Sequence, residues 1–289
     1  MFINGAWATE PSGSEFEILN PATGGVIKSL PDGGAEAARA AIDAAAEALV
    51  TWRVTTPYQR AEFLMRAHAL MLERQEDLAK VMTAEQGKPL RAAMTEVKYA
   101  SDFLQWFAEE GKRVYGEIIP SARADQRFHV LHQPVGVVAA ITPWNYPISM
   151  ITRKLGPALA AGCTVVHKPA EFSPITARLL ADIAHEAGLP PGVWNVVNGL
   201  GEDAGRALTE HPDIKAISFV GESRTGQMIM AQGAPTLKRV HFELGGKNPC
   251  IVFADSDLER AMDAAVFMIY SLNGERCTSS SRLLVEDSR

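Results

Sequence analysis

Val135-Gly136-Val137-Val138-Ala139-Ala140-Ile141 runs apolar for a full strand length and then breaks into Thr142-Pro143-Trp144-Asn145-Tyr146-Pro147. A strand without polar alternation is buried on both faces, the habit of parallel sheets covered by helices. Four further runs repeat the pattern: Thr164–Val166, Val193–Val197, Ala216–Val220 and Val240–Leu244. Helical stretches are expected between them, after Pro147, Pro174, Gly201 and Glu222. Such alternation with short loops predicts a doubly wound α/β sheet. Ligands of these sheets sit at the carboxyl ends of the strands, so the residues that follow each run are the informative ones.

Upstream, the first thirty residues alternate polar and apolar around Gly5, Gly13, Pro21 and Gly24-Gly25, as short strands joined by turns do. One helix is expected from Ala35 to Trp52. A second is expected from Pro57 to Met82, capped by Thr56, with Leu64, Ala67, Met71, Leu78 and Met82 as its buried stripe and Arg60, Arg66, Arg74 and Asp77 off it. A third runs from about Pro89 to Gly111 and carries Trp106 and Phe107 as core aromatics. Val114–Gln133 reads as a hairpin. Downstream of the sheet come a strand at Pro249–Phe253, a helix from about Asp257 and a strand around Arg282-Leu283-Leu284-Val285.

The 289 residues carry 28 Lys and Arg against 34 Asp and Glu, a net charge of −6, with 47% hydrophobic residues. That composition excludes disordered, collagenous and coiled-coil classes. The acidic balance gives no electrostatic footprint for nucleic acid or an anionic membrane. No run approaches the roughly 18 apolar residues of a membrane span. The N-terminus lacks a signal-peptide pattern. Three scattered cysteines, Cys163, Cys250 and Cys277, suit neither a disulfide framework nor a zinc site, so a reduced cytoplasm is the expected setting.

At the strand ends, Gly221-x-Ser223-x-x-Gly226 joins a strand to a helix. Its backbone N–H groups can meet a phosphate and Ser223 can add a hydroxyl, while Ser223 as a plain helix cap is the competing reading. Gly199-x-Gly201-x-x-x-Gly205 has the wrong spacing for a dinucleotide fingerprint and reads as a turn. Lys168 and Glu171 follow a buried strand, with a surface ion pair as the bland alternative. Asn145 lies in a rigid turn among aromatics and prolines. Cys163 and Cys250 read as small buried hydrophobes. Cys277, set between Asn273-Gly274-Glu275-Arg276 and Thr278-Ser279-Ser280-Ser281, reads as an accessible thiol whose ionised form Arg276 favours, hence a candidate nucleophile.

Together, Pro143-Trp144-Asn145, Lys168-Pro169-Ala170-Glu171, Phe219-Val220-Gly221-Glu222-Ser223, Phe242-Glu243-Leu244-Gly245-Gly246-Lys247-Asn248-Pro249 and Gly274–Cys277 resemble the aldehyde dehydrogenase superfamily in order and spacing. The resemblance runs from Asn4-Gly5 to Arg289. It implies a Rossmann-like NAD-binding domain (residues 1–113 and 134–244), an oligomerisation hairpin (114–133) and the opening of an α/β catalytic domain (245–289). It also implies a reaction. The Cys277 thiolate attacks an aldehyde, and the Asn145 amide and the Cys277 backbone N–H hold the oxyanion. Hydride passes to a nicotinamide, and Glu243 activates the water that hydrolyses the thioester; an apolar strand setting is expected to raise its pKa.

Cofactor contacts are implied for Thr142, Pro143, Trp144, Lys168, Glu171, Gly201, Gly221, Ser223, Gly226 and Leu244. Glu171, accepting from ribose hydroxyls, should repel a 2′-phosphate, so NAD is expected over NADP. The stretch from Phe103 through Gly162 looks most like succinate-semialdehyde dehydrogenases, with Arg153 where that branch holds the substrate carboxylate. The second arginine expected before the cysteine is Ser271 here. Phe172-Ser173-Pro174 and Gly201-Glu202 resemble lactaldehyde- and ketoglutarate-semialdehyde-type relatives equally well. Departures from the family pattern are His167, read as an unremarkable strand-end histidine, Val220, Glu275-Arg276, and Glu222, which puts a negative charge near the expected pyrophosphate. Family members continue well past the cysteine, so a C-terminally shortened chain is expected, with a homo-oligomer, dimer or tetramer, for the full form. A catalytically inactive nucleotide-binding fragment is the second reading.

Overall fold

In a computed structural model that describes residues 1–7 and 14–287, the chain opens with β1 (Phe2–Ile3), β2 (Ala6–Trp7), β3 (Glu15–Leu19), β4 (Val26–Pro31) and α1 (Gly34–Trp52). Gly13, expected in a turn, and Ser288-Arg289 lie outside the described residues. Helices α2 (Pro57–Glu73), α3 (Gln75–Gln86) and α4 (Leu90–Glu110) follow, then the hairpin β5 (Glu117–Pro120) and β6 (Arg127–Val130). The alternating block is β7 (Val137–Ile141), α5 (Pro147–Ala160), β8 (Thr164–Lys168), α6 (Pro174–Glu186), β9 (Trp194–Val196), α7 (Arg206–Glu210), β10 (Ile214–Gly221), α8 (Ser223–Gly233) and β11 (Arg239–Leu244). The last elements are β12 (Pro249–Val252), α9 (Leu258–Tyr270) and β13 (Arg282–Val285).

The main sheet has the order β11-β10-β7-β8-β9-β1-β2, with β7 to β11 all parallel and β1 joined antiparallel to β9. The chain winds from β7 outward through β8 and β9, then returns to the other side of β7 for β10 and β11. This is the doubly wound α/β sheet expected. Alternate residues of β7 face opposite ways: Val138 and Ala140 pack with α2 to α6, Val137 and Ala139 with α1, α7 and α8. Both faces are covered, which is why the run has no polar break. The register sets Ile141 opposite Lys168 and Phe219, and Phe219 opposite Phe242. Thr142, Pro169, Val220 and Glu243 therefore emerge side by side at one edge.

Four expectations need correction. The stretch Pro57 to Met82 is two helices, since Arg74 (φ −101°, ψ 18°) ends α2 and starts α3, although all five stripe residues are buried. Arg60 is buried and not on the outer face: its Nε donates to the Ala160 carbonyl at 2.8 Å, tying α2 to the end of α5. Trp106 is 59% exposed while Phe107 packs partly against the core. Cys163 is buried as expected, but Cys250 is only half-buried on the outlying β12–β13 pair.

His167, in the middle of the sheet, is not unremarkable. It is fully buried, its Nε2 meets the Thr142 hydroxyl at 2.9 Å, and burial pushes its pKa down to about 3. Because the folded chain refuses a proton that the unfolded chain accepts below pH 6.5, stability present above that pH is lost as pH falls. The slope is ~1.4 kcal/mol per pH unit from one group. Glu85, raised by burial to about 7, pulls the opposite way over the same range, so the test is a difference between two proteins. In urea unfolding at pH 7 and pH 5, His167→Asn should lose less stability, or gain more, on acidification than the unaltered protein. The same pH dependence in both contradicts the assignment.

Helix α9 is capped by Asp257, whose carboxylate accepts from Arg260 N–H at 3.2 Å, yet none of its residues is buried. Met262 and Phe267 lie on its open apolar side. Met262→Ser and Phe267→Ser should each cost under ~0.5 kcal/mol, whereas Leu64→Ala in α2 should cost ~3 kcal/mol. Thermal denaturation of the three variants compares them; equal losses would contradict this assignment of the core.

Candidate active site

The turn after β7 carries Asn145, and Pro147 in the first turn of α5 fixes the chain direction there. The Asn145 amide donates to the Glu275 carbonyl at 2.8 Å, and the Asn248 amide donates to the Cys277 carbonyl at 2.7 Å. The loop bearing Cys277 is thus pinned from both sides. Cys277 is exposed and lines a cleft of about 740 Å³ with Tyr146, Met150, Arg153, Phe267 and Arg276. Cys277 and Arg153 share this cleft, while Asn145 is not on its wall and is tied to the cysteine loop through the Glu275 carbonyl.

Glu243, at the end of β11, lines a neighbouring cleft of about 450 Å³, which shares Met150 and Arg153 with the first. The apolar setting expected for it is not found: its side chain is 51% exposed, and one carboxylate oxygen lies 3.7 Å from Arg153 Nη2. Arg153 also lies over the Phe103 ring, 5.5 Å from its centre. Lys154, not singled out by the sequence reading, lines the same cleft and donates to the Ser218 hydroxyl at 2.8 Å. Burial first, and then Arg153, pull its pKa down to about 8, against the opposing pull of Glu243. Its signal was available, since Lys154 sits between Ile151 and Leu155 on the buried side of α5.

Arg276 contacts Ser271 and Phe267, not the thiol expected from the sequence. Its Nη1 donates to the Ser271 hydroxyl at 2.9 Å, its guanidinium lies 5.7 Å from the centre of the Phe267 ring, and its buried Nε has no protein partner. A guanidinium thus reaches Ser271, where the sequence reading missed an arginine. Glu275 is held by Gln86, and burial raises its pKa against the pull of that bond and of Lys88.

The remaining residues line the edge of the sheet. Thr142 is buried, and its N–H extends the ladder to the Lys168 carbonyl at 3.1 Å. Pro143 is half-buried and Trp144 stands exposed beside it. Lys168 is buried, not a surface residue: its Nζ donates to the Pro169 carbonyl at 3.1 Å and lies 3.5 Å from Glu171. Burial lowers its pKa, with Glu171 opposing. Gly201 opens a wide helical turn with free space around it. Gly221 passes so close to Phe219 that a Cβ would lie 2.4 Å from the ring. Gly226 gives α8 a close approach to Leu244, whose Cδ2 would be 3.1 Å from a Cβ there. Ser223 is not the helix cap: Glu222 is, accepting from the Thr225 N–H at 3.1 Å. Among the described residues, no group of His, Cys, Asp or Glu is arranged to hold a metal ion, and no helix is long and apolar enough to cross a membrane.

Comparison with known proteins puts this arrangement in context. The chain is 49% identical over 285 residues to a succinate-semialdehyde dehydrogenase [NADP(+)] of Escherichia coli (strain K12), covering 99% of this chain and 59% of that protein. It is 47% identical over 286 residues to a 3-sulfolactaldehyde dehydrogenase of Pseudomonas putida, with the same coverage. A crystal structure of a succinate-semialdehyde dehydrogenase from Burkholderia pseudomallei matches with TM-score 0.97 and 44% identity, covering 99% of this chain and 60% of that one. The chain therefore spans 59% of the length of the first curated relatives it matches. Residues 7–289 match the family described as the aldehyde dehydrogenase family, and with the fold agreeing, the chain belongs to that family.

Proposed function

We propose that the whole protein oxidises aldehydes carrying an acid group to carboxylic acids, with a nicotinamide dinucleotide as oxidant. The observation that carries this reading is an exposed thiol, Cys277, in a cleft whose wall holds two guanidinium groups, Arg153 and Arg276. The thiolate forms a bond to the aldehyde carbon, and the carbonyl electrons move to oxygen. One N–H of the Asn145 amide is taken by the Glu275 carbonyl, which leaves the second, with the Cys277 N–H, to serve that oxyanion. The dinucleotide, when bound, supplies the hydride acceptor. Glu243 then takes a proton from water as it attacks the acyl carbon, the thiolate leaves, and the acid is released.

Relatives are named for succinate semialdehyde, glutarate semialdehyde and 3-sulfolactaldehyde, all aldehydes bearing an acid group. Planar guanidinium groups suit carboxylates and sulfonates alike. For the dinucleotide, Lys168 and Glu171 offer a donor and an acceptor to ribose hydroxyls, and Glu171 disfavours a 2′-phosphate, so NAD is proposed over NADP. At the phosphate end the fit is poorer, because Glu222 already holds the Thr225 N–H and has to turn away. Residues 1–113 and 134–244 then form the cofactor domain and 245–289 open the catalytic one. The hairpin of 114–133, whose strand residues are all exposed, serves contacts between copies.

Two measurements test this reading. Succinate semialdehyde should be turned over with kcat/KM at least about tenfold above butanal, and Arg276→Met should remove most of that gap through KM. Equal values for the two aldehydes in the unaltered protein would overturn the acid-group reading. NAD should be preferred over NADP, with Glu171→Gln narrowing the preference; NADP favoured by the unaltered protein would overturn the ribose assignment.

A further inference from the structure

One short segment, Glu85-Gln86-Gly87-Lys88, leaves the end of α3 and reaches three loops of the site. Lys88 and Glu96 form an ion pair in which each side chain is 1% exposed. Lys88 Nζ also donates to the Asn145 carbonyl at 2.7 Å and lies 4.0 Å from the centre of the Tyr146 ring. The second oxygen of Glu96 accepts from the N–H groups of Ile148 and Ser149, both at 3.1 Å, in the first turn of α5. The Asn145 turn is therefore gripped from beneath by one buried pair.

The same segment grips the cysteine loop. Gln86 Nε2 donates to the Glu275 carboxylate at 2.6 Å, and the Gly87 carbonyl accepts from the Asn273 amide at 3.1 Å. Since the Asn145 amide donates to the Glu275 carbonyl, the bonds close a ring: Lys88 to Asn145, Asn145 to Glu275, Glu275 back to Gln86. Glu85 accepts from the N–H groups of Ile175 and Thr176, both at 2.8 Å, and from the Thr176 hydroxyl, at the start of α6 after Lys168 and Glu171. Only a left-handed residue without a side chain makes this turn: Gly87 has φ +83°, and a Cβ there would sit 2.9 Å from Pro21.

Burying a cation and a carboxylate gives little net stability over an apolar pair. What it gives here is geometry, because every remaining donor and acceptor of the pair points at one catalytic turn. We propose that Glu85–Lys88 is the positioning element of the active site, with Lys88 setting Asn145 and Gln86 setting the loop of Cys277. This rests on the roles proposed above for those two residues.

Two variants separate the grips. Lys88→Met combined with Glu96→Met removes both charges, so that no lone charge is stranded in the core. Gln86→Leu removes the bond to Glu275 on the cysteine loop and leaves the Lys88–Glu96 pair and the Gly87 carbonyl to Asn273 in place. Each is read by backbone hydrogen exchange, by alkylation of Cys277 with iodoacetamide, and by kcat and KM for succinate semialdehyde. The double variant should speed exchange over residues 145–150 by about tenfold. It should lower kcat about a hundredfold with KM within about threefold, the signature of a misplaced oxyanion donor. Gln86→Leu should speed exchange over residues 273–277 by about tenfold and shift the alkylation rate severalfold. If the double variant does not fold, Gln86→Leu decides alone. Exchange unchanged in these loops, or kcat and alkylation unmoved while exchange rises, overturns the proposal. If the unaltered whole protein shows no turnover, the proposed function fails, whereas exchange and alkylation still decide whether the segment positions the loops.

Discussion

Parallel pairing of β7, β8, β10 and β11 in one shared register is the constraint on which the rest depends. Backbone N–H and C=O groups buried under helices on both faces must find partners, and the ladder supplies them only in register. A slip by one residue would exchange the two faces of β7, sending Val138 and Ala140 to the side of α1 and α7. The packing on both faces forbids it. With the register fixed, the residues after Ile141, Lys168, Phe219 and Phe242 share one edge. The chain needs no other device to collect Asn145, the Lys168–Glu171 pair, the Gly221 loop and Glu243 in one region.

Holding that edge in place uses buried charge. Glu85 is pushed up to about 7 by burial even though three donors favour its charged form. Lys88, Lys154 and Lys168 are all pulled below the usual lysine range by burial. These groups cluster beneath and beside the candidate site, where perturbed ionisation is concentrated in enzymes. The pairs on the outside of the helices, such as Lys80 with Glu76, are solvent-screened and contribute little. The asymmetry separates charges that hold the site from charges that only keep the surface wet.

Much of this was legible in the sequence because burial on both faces leaves an unmistakable mark. All five apolar runs became strands of one sheet, and the polar residues after them lie where a doubly wound sheet requires. The break at Arg74 left no mark, since the spacing from Met71 to Leu78 carries the stripe across it. Charged residues with buried roles were misread or passed over: Arg60, Glu85, Lys88, Glu96 and Lys154 look like surface residues until their distant partners are known. Those partners lie far along the chain, as Ala160 does from Arg60 and Thr176 from Glu85. Glu222 and Arg276 show the same limit from the other side. Each was noticed as a departure, but that one caps α8 and the other reaches Ser271 follows only from the fold.

The central claim is that Cys277 carries the acyl group and Glu243 releases it. Mass spectrometry of the acid-quenched Glu243→Gln variant, after incubation with NAD and succinate semialdehyde, tests it most directly. The account predicts an acyl adduct on the peptide containing Cys277, absent without NAD and absent from Cys163 and Cys250. A protein that reduces NAD while Cys277 stays unmodified in that variant, or an adduct on another residue, would contradict it.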